Sequence, residues 1–290
     1  MNYFLMFAIV LGVSLQDILK KKLSVSGEAA CAMDSYRFFM AAAAFLTHLL
    51  LTGRTLSWHL PSFAYGAAFA VGFTAAIYGS IAAAACGPVS LTALFSSFGL
   101  AIPTLYGVFF LHEELAPTGI IGLIALCASL VLVNWSRGNQ EKLSSKWLIL
   151  ALIGFAGNGC CSLMQKLHQT VYPGQYAGDL LISGMLLVTL FSLLIFLKAA
   201  QKDRKPDGKL PVSGLSMRLG VPSGIFNALV NFGMVYLSAR LPAALLYPTV
   251  SAGSIALSFV VMRFVYREKL SLIKQLGFFL GFAAVILMNL

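Results

Sequence analysis

His112, Glu113 and Glu114 stand together in the stretch VFFLHEELAPTGIIG, between two apolar runs. An imidazole beside two carboxylates offers the ligand types of a metal site and the groups of a proton-transfer site. The same three residues could instead form the polar end of a helix. The class of the protein, and whether the pattern occurs a second time, distinguish these interpretations.

The composition of the chain is that of an integral membrane protein. Of its 290 residues, 59% are hydrophobic and 10% are charged, and the mean hydropathy is +0.87. Soluble domains carry about 25% charged residues. The net charge of +10 would suggest nucleic acid in a soluble protein. Here Lys and Arg lie between apolar segments, which indicates topology signals and contact with membrane lipids, so no nucleic-acid partner is expected.

Signatures of an enzyme are missing from the sequence. There is no His-rich ligand set and no nucleophile elbow, and the five cysteines show no metal-ligand spacing. We therefore predict no enzyme activity, no catalytic residues, no cofactor and no metal. The cysteines are interpreted as small packing residues.

The apolar segments predict an all-α membrane protein with ten transmembrane helices. A spanning helix needs about 20 mostly apolar residues, whereas the strands of a membrane barrel alternate over about ten. These segments are continuously apolar over the longer distance. The predicted spans are 3–20, 31–51, 62–83, 89–111, 117–135, 147–166, 177–198, 216–238, 243–265 and 272–290.

The distribution of Lys and Arg predicts the orientation. Ten spans place both termini on one side of the membrane. Sixteen Lys and Arg fall on the opposite side, whereas only Arg54, Lys166 and Arg240 fall on the side of the termini. Cytoplasmic loops carry the excess of positive charge. We therefore expect a multi-pass protein of the cell (plasma or inner) membrane with both termini on the non-cytoplasmic side.

The two halves of the chain share Gly, Pro and acidic residues in the same order. We predict a first five-helix repeat at 1–135, a linker at 136–146 and a second repeat at 147–290. An odd number of helices inverts the second copy, and inverted repeats are typical of secondary transporters with a central site between the copies. The matched pairs are Asp34/Asp179, separated by 145 residues, Gly66/Gly220, Gly79/Gly233 and Pro88/Pro242, separated by 154, and Glu113/Glu268, Leu115/Leu270 and Gly122/Gly277, separated by 155.

These features together resemble the EamA branch of the drug/metabolite transporter superfamily. The resemblance covers the whole chain and is carried by the ten-helix plan, the Pro before the fourth and ninth helices, and LHEELAPTGIIGLIALCASLVL paired with YREKLSLIKQLGFFLGFAAVILM. It implies carriage of small metabolites, often amino acids or their relatives and frequently outward. Many members of that family have cytoplasmic termini, which conflicts with the charge count, and we follow the charge count.

Polar side chains within the apolar segments are the candidates for substrate contact. Amide and small residues also pack helices and hydrogen-bond between them, so packing remains the alternative for each. Asn227 and Asn231 share one face of the eighth helix, and Asn158, Ser162 and Gln165 share one face of the sixth. The candidate substrate-binding residues are Gln16, Arg37, Tyr78, Asn158, Gln165, Asn227, Asn231 and Tyr247.

Asp17 and Asp34 are the candidates for proton coupling. Asp34 and Arg37 are three residues apart at the start of the second helix, so they can pair on one face. The pair could be structural, or Asp34 could titrate while Arg37 binds a substrate carboxylate. Asp179 recurs at the matching place without an Arg, an asymmetry that favours a functional role for Arg37.

The sequence thus predicts a secondary transporter, an exporter of small polar metabolites such as amino acids or related compounds. It would work by alternating access and be driven by a proton gradient or by the solute gradient itself. Alternatives are a lipid or lipid-linked sugar translocase and, in another class, a membrane-embedded enzyme. The expected partners are a small-molecule substrate and membrane lipids, with the protein a monomer or a homodimer.

The opening stretch is reinterpreted by the repeat. YREKL takes the corresponding place 155 residues later, where Arg267 and Lys269 replace the metal-ligand types and only the glutamate and the following leucine persist. A glutamate near a helix N-terminus accepts hydrogen bonds from free backbone N–H groups, and its negative charge interacts favourably with the helix dipole. Glu113 and Glu268 are therefore predicted to be determinants of the fold, with Pro88, Asp179 and Pro242 as further markers of the repeat.

Overall fold

The protein is described by a computed structural model that covers residues 2–24, 30–84, 86, 92, 95–96, 98–113, 117–134, 144–202, 213–260 and 272–288. Within these ranges the chain is helical, and no strand is found in them. A 3-10 turn at Gly53–Thr55 follows the second helix. The α-helices are α1 Asn2–Ser24, α2 Ala30–Thr52, α3 Leu60–Ala84, α4 Ala101–Phe110, α5 Pro117–Asn134, α6 Ser145–Val171, α7 Ala177–Lys202, α8 Gly214–Ser238, α9 Ala243–Val260 and α10 Leu272–Met288.

Four helices of the described part are long and apolar enough to cross a membrane. These spans are Leu60–Ala83, Ser145–Val171, Ala177–Gln201 and Gly214–Ser238. The surface also exposes large apolar side chains, with Leu50 84% and Phe4 77% exposed. Soluble monomers rarely expose extended apolar surface. The all-helical prediction and the membrane class are consistent with these features.

Each predicted segment overlaps one of the ten helices of the described part, and two predictions of helix extent need the largest correction. α6 continues to Val171, beyond the predicted end at residue 166. The predicted helix 89–111 is interrupted, since Thr92, Phe95, Ser96 and Phe98 are helical, residues 99 and 100 form a turn, and α4 begins only at Ala101.

Pro103 accounts for the interruption. A proline has no backbone N–H, and its ring clashes with the carbonyl four residues earlier, here that of Gly99. The Gly99 carbonyl accepts instead from the Ile102 N–H at 3.1 Å, and the Gly99 N–H donates to the Ser96 carbonyl at 3.1 Å. Two short-range bonds therefore replace the regular helical ladder at this point.

The first five helices pack mainly against the last five. The most extensive contact is α3 with α6, and α9 with α10 is a substantial contact within the second half. The principal contacts between the halves are α3 with α6, α1 with α8, α2 with α8, α3 with α7, α1 with α9, α4 with α6, α2 with α7, α4 with α9 and α5 with α10.

Glycines allow close approach at several of these crossings. A Cβ on Gly66 of α3 would lie 2.8 Å from the Leu180 carbonyl oxygen of α7. A Cβ on Gly220 of α8 would lie 2.9 Å from the Tyr36 carbonyl oxygen of α2. Either side chain would force the two backbones apart, so both positions require glycine at this spacing.

Candidate functional site

Four amide side chains form a continuous hydrogen-bonded chain across three helices, which we call the amide chain: Gln16 of α1, Asn227 and Asn231 of α8, and Gln165 of α6. Asn227 Nδ2 donates to Gln16 Oε1 at 3.0 Å. Asn231 Nδ2 donates to Asn227 Oδ1 at 3.0 Å, and Gln165 Nε2 donates to Asn231 Oδ1 at 2.7 Å. The sequence-predicted faces of α6 and α8 therefore meet.

Each member of the amide chain has both donors and an acceptor, an N–H₂ group and a carbonyl oxygen. Gln165 is 3% exposed and Asn227 8% exposed. The four residues hydrogen-bond to one another in this arrangement.

Asn158 lies at the interruption before α4. Its Nδ2 donates to the carbonyl oxygen of Ser96 at 2.8 Å. A Cβ on Gly99 would lie 2.9 Å from Asn158 Cβ, so the turn is pressed against α6. Asn158 thus binds a carbonyl at the break in the helix, where the regular helical hydrogen bonds are interrupted. Its role in this structure is to hold that turn.

Tyr247 is fully buried at the contact of α9 with α6. Its hydroxyl donates to the carbonyl oxygen of Ser162 at 2.8 Å. The face of α6 that carries Asn158, Ser162 and Gln165 therefore contacts the interrupted helix, α9 and α8 in turn. Tyr247 packs this face rather than lining open space in this conformation.

Asp34, Arg37 and Tyr78 form a second cluster, between α2 and α3. The predicted ion pair is present, with Arg37 Nη1 donating to Asp34 Oδ1. The Arg37 guanidinium also lies over the Tyr78 ring, 4.7 Å from its centroid. Arg37 is 6% exposed, and its Nε has no hydrogen-bond partner.

The remaining sequence candidates cannot be placed in either cluster. Asp17 lies on α1, one residue after Gln16, but its side chain is outside the described part of the structure. Pro88 and Glu268 lie outside the described residues altogether. Pro242 directly precedes α9, as predicted.

Glu113 forms a buried ion pair that the sequence did not predict. Its Oε1 lies 2.8 Å from Lys166 Nζ, and its Oε2 accepts from the Ala244 N–H at 3.2 Å. Lys166 Nζ donates further to the carbonyl oxygens of Ser238 and Leu241, at 3.4 and 3.0 Å. The pair joins the end of α4 to α6 and to the loop between α8 and α9.

This geometry corrects two sequence-based interpretations. Glu113 accepts from the first turn of α9, whereas we expected it to stabilise the start of the helix that follows it in sequence. Lys166 was counted among the cations on the side of the termini, but it is 6% exposed and fully paired. Its positive charge stabilises the carbonyl end of α8, as Glu113 stabilises the N–H end of α9.

Asp179 serves a structural role at the start of α7. It is fully buried, and its carboxylate accepts from the backbone N–H groups of Ser57 at 3.3 Å and His59 at 3.0 Å. These groups directly precede α3. Asp179 has no arginine beside it because these two backbone N–H groups bind its carboxylate instead.

A histidine–serine–histidine series lies at the same end and was missed. The Ser62 hydroxyl is 2.9 Å from His59 Nδ1 and 2.8 Å from His168 Nε2. His59 is also stacked on Tyr176, with ring centroids 4.0 Å apart. The two histidines are 109 residues apart in sequence. No local spacing could have brought them together before the packing of α3 on α6 was known.

An apolar groove adjoins the interrupted helix. Its volume is about 290 Å³, and it is lined by Phe95, Phe98, Ala101, Leu152 and Phe155. In the described part of the chain, no three His, Cys, Asp or Glu residues are grouped as metal ligands.

Comparison with other proteins gives a fold but no family. No family model matches the chain, and no curated protein matches it. The chain is similar to a protein of known crystal structure, with a TM-score of 0.76 and 15% sequence identity over 99% of this chain and 95% of the other. At this identity the likeness shows a shared fold over the whole chain.

Proposed function

We propose that the protein is a secondary transporter of small polar metabolites, built from two inverted five-helix repeats with ten membrane spans. It resembles EamA-type drug/metabolite transporters in its sequence pattern, and we assign it export of compounds such as amino acids. The amide chain carries this proposal. It connects α1 of the first half to α6 and α8 of the second, where alternating access requires the solute to lie.

The contacts between helices support the repeat. Under exchange of the halves, α1 to α5 correspond to α6 to α10. The contact of α3 with α6 then corresponds to that of α1 with α8, and the contact of α2 with α8 corresponds to that of α3 with α7. Likewise, the contact of α1 with α9 corresponds to that of α4 with α6. Both members of each of these pairs occur. The contacts of α2 with α7, α4 with α9 and α5 with α10 correspond to themselves.

The close-packed glycines follow the same exchange. Gly66 approaches residues 180–184 and Gly220 approaches residues 36–40. Subtracting the repeat offset of 145 from the first range gives 35–39, so equivalent glycines lie on equivalent turns. Such correspondence supports a common ancestral unit, because unrelated helices would have no reason to cross at matching residues.

The interruption at Gly99 also supports a transporter. Non-helical backbone within a membrane is tolerated where protein or a water-filled cavity satisfies its polar groups. Discontinuous helices at the repeat interface form the substrate sites of many transporters. Here Asn158, on the same face of α6 as Gln165, donates to the Ser96 carbonyl oxygen beside the interruption.

The Asn231→Ala variant should lower solute counterflow in proteoliposomes by roughly tenfold while folded protein stays abundant, because it removes the middle of the amide chain. Counterflow would first be screened with amino acids, nucleosides, sugars and amines to find a solute. Asn2→Ala is the matched control, because Asn2 lies at the start of α1 and is not part of the amide chain. Unchanged transport in both Asn231→Ala and Gln165→Ala would reject the assignment of this polar path.

The orientation remains as the charges suggest, with both termini on the non-cytoplasmic side. Removing buried Lys166 from the count leaves Arg54 and Arg240 on that side, which strengthens the bias. A reporter that is active only in the cytoplasm, fused after Leu290, is expected to be inactive. The same reporter placed in the loop between α7 and α8 should be active, and the reverse pattern would overturn the orientation.

Lipid translocation is the second candidate, favoured by the apolar groove beside Phe98 and Phe155. An acyl chain could lie there while a headgroup follows the polar residues of α6. The same proteoliposomes distinguish the two functions. Movement of a fluorescent lipid between leaflets, without counterflow of any soluble solute, would favour the translocase.

A further inference from the structure

Arg37 has an unused hydrogen-bonding edge. It is more than nine-tenths buried on α2, and Nη1 is occupied by Asp34, but Nε has no partner. Guanidinium groups bind carboxylates through two parallel N–H groups, and Nε belongs to one such edge. A buried donor without a partner costs free energy, so the site is better satisfied with a ligand than without one.

The position of the pair allows a ligand to approach. The Asp34 side chain is 17% exposed and that of Arg37 is 7% exposed, so Asp34 forms the more open side. The Tyr78 ring covers a face of the guanidinium at 4.7 Å from its centroid. A ligand therefore reaches Arg37 in the plane of the guanidinium, where a carboxylate binds, and not on the covered face.

The surroundings contain no second described cation to compensate Asp34 once a solute carboxylate pairs with Arg37. Among the described side chains, Arg37 is the charged group that acts on Asp34, and Tyr78 is the other titratable group that faces both. Among their described side chains, the helices packed around the pair contribute neutral groups. These are Ser192 of α7 beside Tyr78, and Ser216 and Ser223 of α8, which bind the Ala32 carbonyl and the Tyr36 hydroxyl at 2.8 Å each.

We propose that Asp34 and Arg37 form an exchange site for a carboxylate-bearing solute, which binds the free Nε edge of Arg37 and takes over its charge while Asp34 takes up one proton. This inference rests on the proposed transport function and names its substrate class. Once the solute carboxylate compensates Arg37, an ionised Asp34 would be a second anion without a counter-ion in a largely buried site, and protonation removes that cost. No covalent bond changes. The charge of the site is zero before and after, since the solute carboxylate replaces that of Asp34.

The exchange site has no counterpart in the second half. The positions equivalent to Arg37 and Tyr78 are Ile182 and Phe232, both apolar. The equivalent of Asp34, Asp179, is held by the backbone N–H groups of Ser57 and His59. The solute and the proton would therefore move together through one asymmetric site, in a direction set by their combined gradients.

Calorimetry on the purified full-length protein tests the proposal. The probes are lactate, pyruvate and alanine, each compared with its own amide, in two buffers of different ionisation enthalpy. At least one carboxylate should bind while its amide does not, with uptake of about one proton per bound anion. Its affinity should rise about tenfold for each unit by which the pH falls, since binding takes up a proton.

Two variants separate the roles of the pair. Asp34→Asn should retain carboxylate binding but lose both the proton uptake and the pH dependence. Arg37→Gln should weaken binding by roughly 10- to 100-fold, because it removes a charge-assisted pair of hydrogen bonds. Arg37→Lys, which keeps the charge but not the planar edge, replaces it if Arg37→Gln does not fold. Asp179→Asn is the matched control and should leave proton uptake unchanged.

Each contrary result is decisive. Equal binding of the amides, no binding of any of the three carboxylates, or proton uptake that persists in Asp34→Asn would overturn the exchange site. Counterflow of a sugar or amine without carboxylate binding would preserve the transport function and reject the exchange site. Binding with proton uptake, but without movement of the solute into proteoliposomes, would preserve the exchange site and reject transport.

Discussion

Replacement of Lys166 by methionine is expected to destabilise the protein by about 3–5 kcal/mol, because the Glu113 carboxylate would be left buried without its counter-ion. The loss would be measured as a shift in denaturant-induced unfolding of the purified protein in detergent micelles. Methionine keeps most of the apolar stem of lysine, so the change tests the charge rather than the packing. The Ser238 and Leu241 carbonyls would also lose a donor.

A double variant distinguishes the contribution of the Glu113–Lys166 ion pair from the cost of leaving one charge without its partner. Lys166→Met with Glu113→Gln removes both charges, and we expect it to recover a large part of the lost stability, since replacing a buried ion pair as a whole is often nearly neutral. Arg240→Met is the matched control. Arg240 is exposed and lies 3.6 Å from the centroid of the Tyr236 ring, an interaction of about 0.5–1 kcal/mol. Equal losses for Lys166→Met and Arg240→Met would contradict the role of the buried pair.

The positions of the helices were predictable because the membrane imposes one strong rule. An apolar run of about 20 residues can satisfy its backbone in lipid only as a helix, so hydropathy located a helix in every predicted segment. The break at Gly99 needed a second rule. Pro103 was visible in the sequence, yet a proline inside a membrane helix can bend it or break it, and the choice depends on neighbours such as Asn158.

The partners of the polar residues were only partly predictable. Asn227 and Asn231 were placed on one face by their spacing, and so were Asn158 and Gln165, because helical periodicity is local. That these faces meet in one hydrogen-bonded chain depends on how α1, α6 and α8 cross. Glu113 shows the limit of local inference, since its backbone neighbours suggested the next helix but its carboxylate binds α9, more than a hundred residues later.

The missed residues share a physical cause. Lys166 was interpreted as a loop cation because lysine at the predicted end of a helix normally reaches water. Its partner Glu113 comes from the other half of the chain, so nothing within several turns of α6 indicated burial. His59 and His168 are separated in the same way. The matched glycines gave the clearest sequence signal of long-range packing. A glycine, which has no side chain, marks a place where two helices approach closely, whichever of the two helices carries it.

Replacement of Gly157 by alanine should therefore be among the most damaging small changes in the chain. A Cβ there would lie 2.6 Å from the Gly72 carbonyl oxygen and 2.9 Å from the Ala75 carbonyl carbon, both backbone atoms of α3. Backbone cannot rotate away as a side chain can, so α3 and α6 would have to separate along their extensive contact. We expect a loss of about 3 kcal/mol in the free energy of unfolding, at the upper end of overpacking costs.

Gly12 lies 145 residues earlier, at the offset of the proposed repeat, and provides the control. Its Cβ would meet Val230 Cγ2 at 2.7 Å, while the nearest backbone atom, the Phe226 carbonyl oxygen, is 3.9 Å away. A valine side chain can shift, so Gly12→Ala should cost less than about 1 kcal/mol. Gly214→Ala, with no atom within 4 Å of its Cβ, should be neutral or slightly stabilising.

If Gly157→Ala and Gly12→Ala unfold at the same denaturant concentration, the α3–α6 crossing is looser than these distances imply. If only Gly157→Ala is impaired, the two crossings differ, with a rigid backbone contact in one and an adjustable side-chain contact in the other, as the proposed motion of one repeat against the other would require.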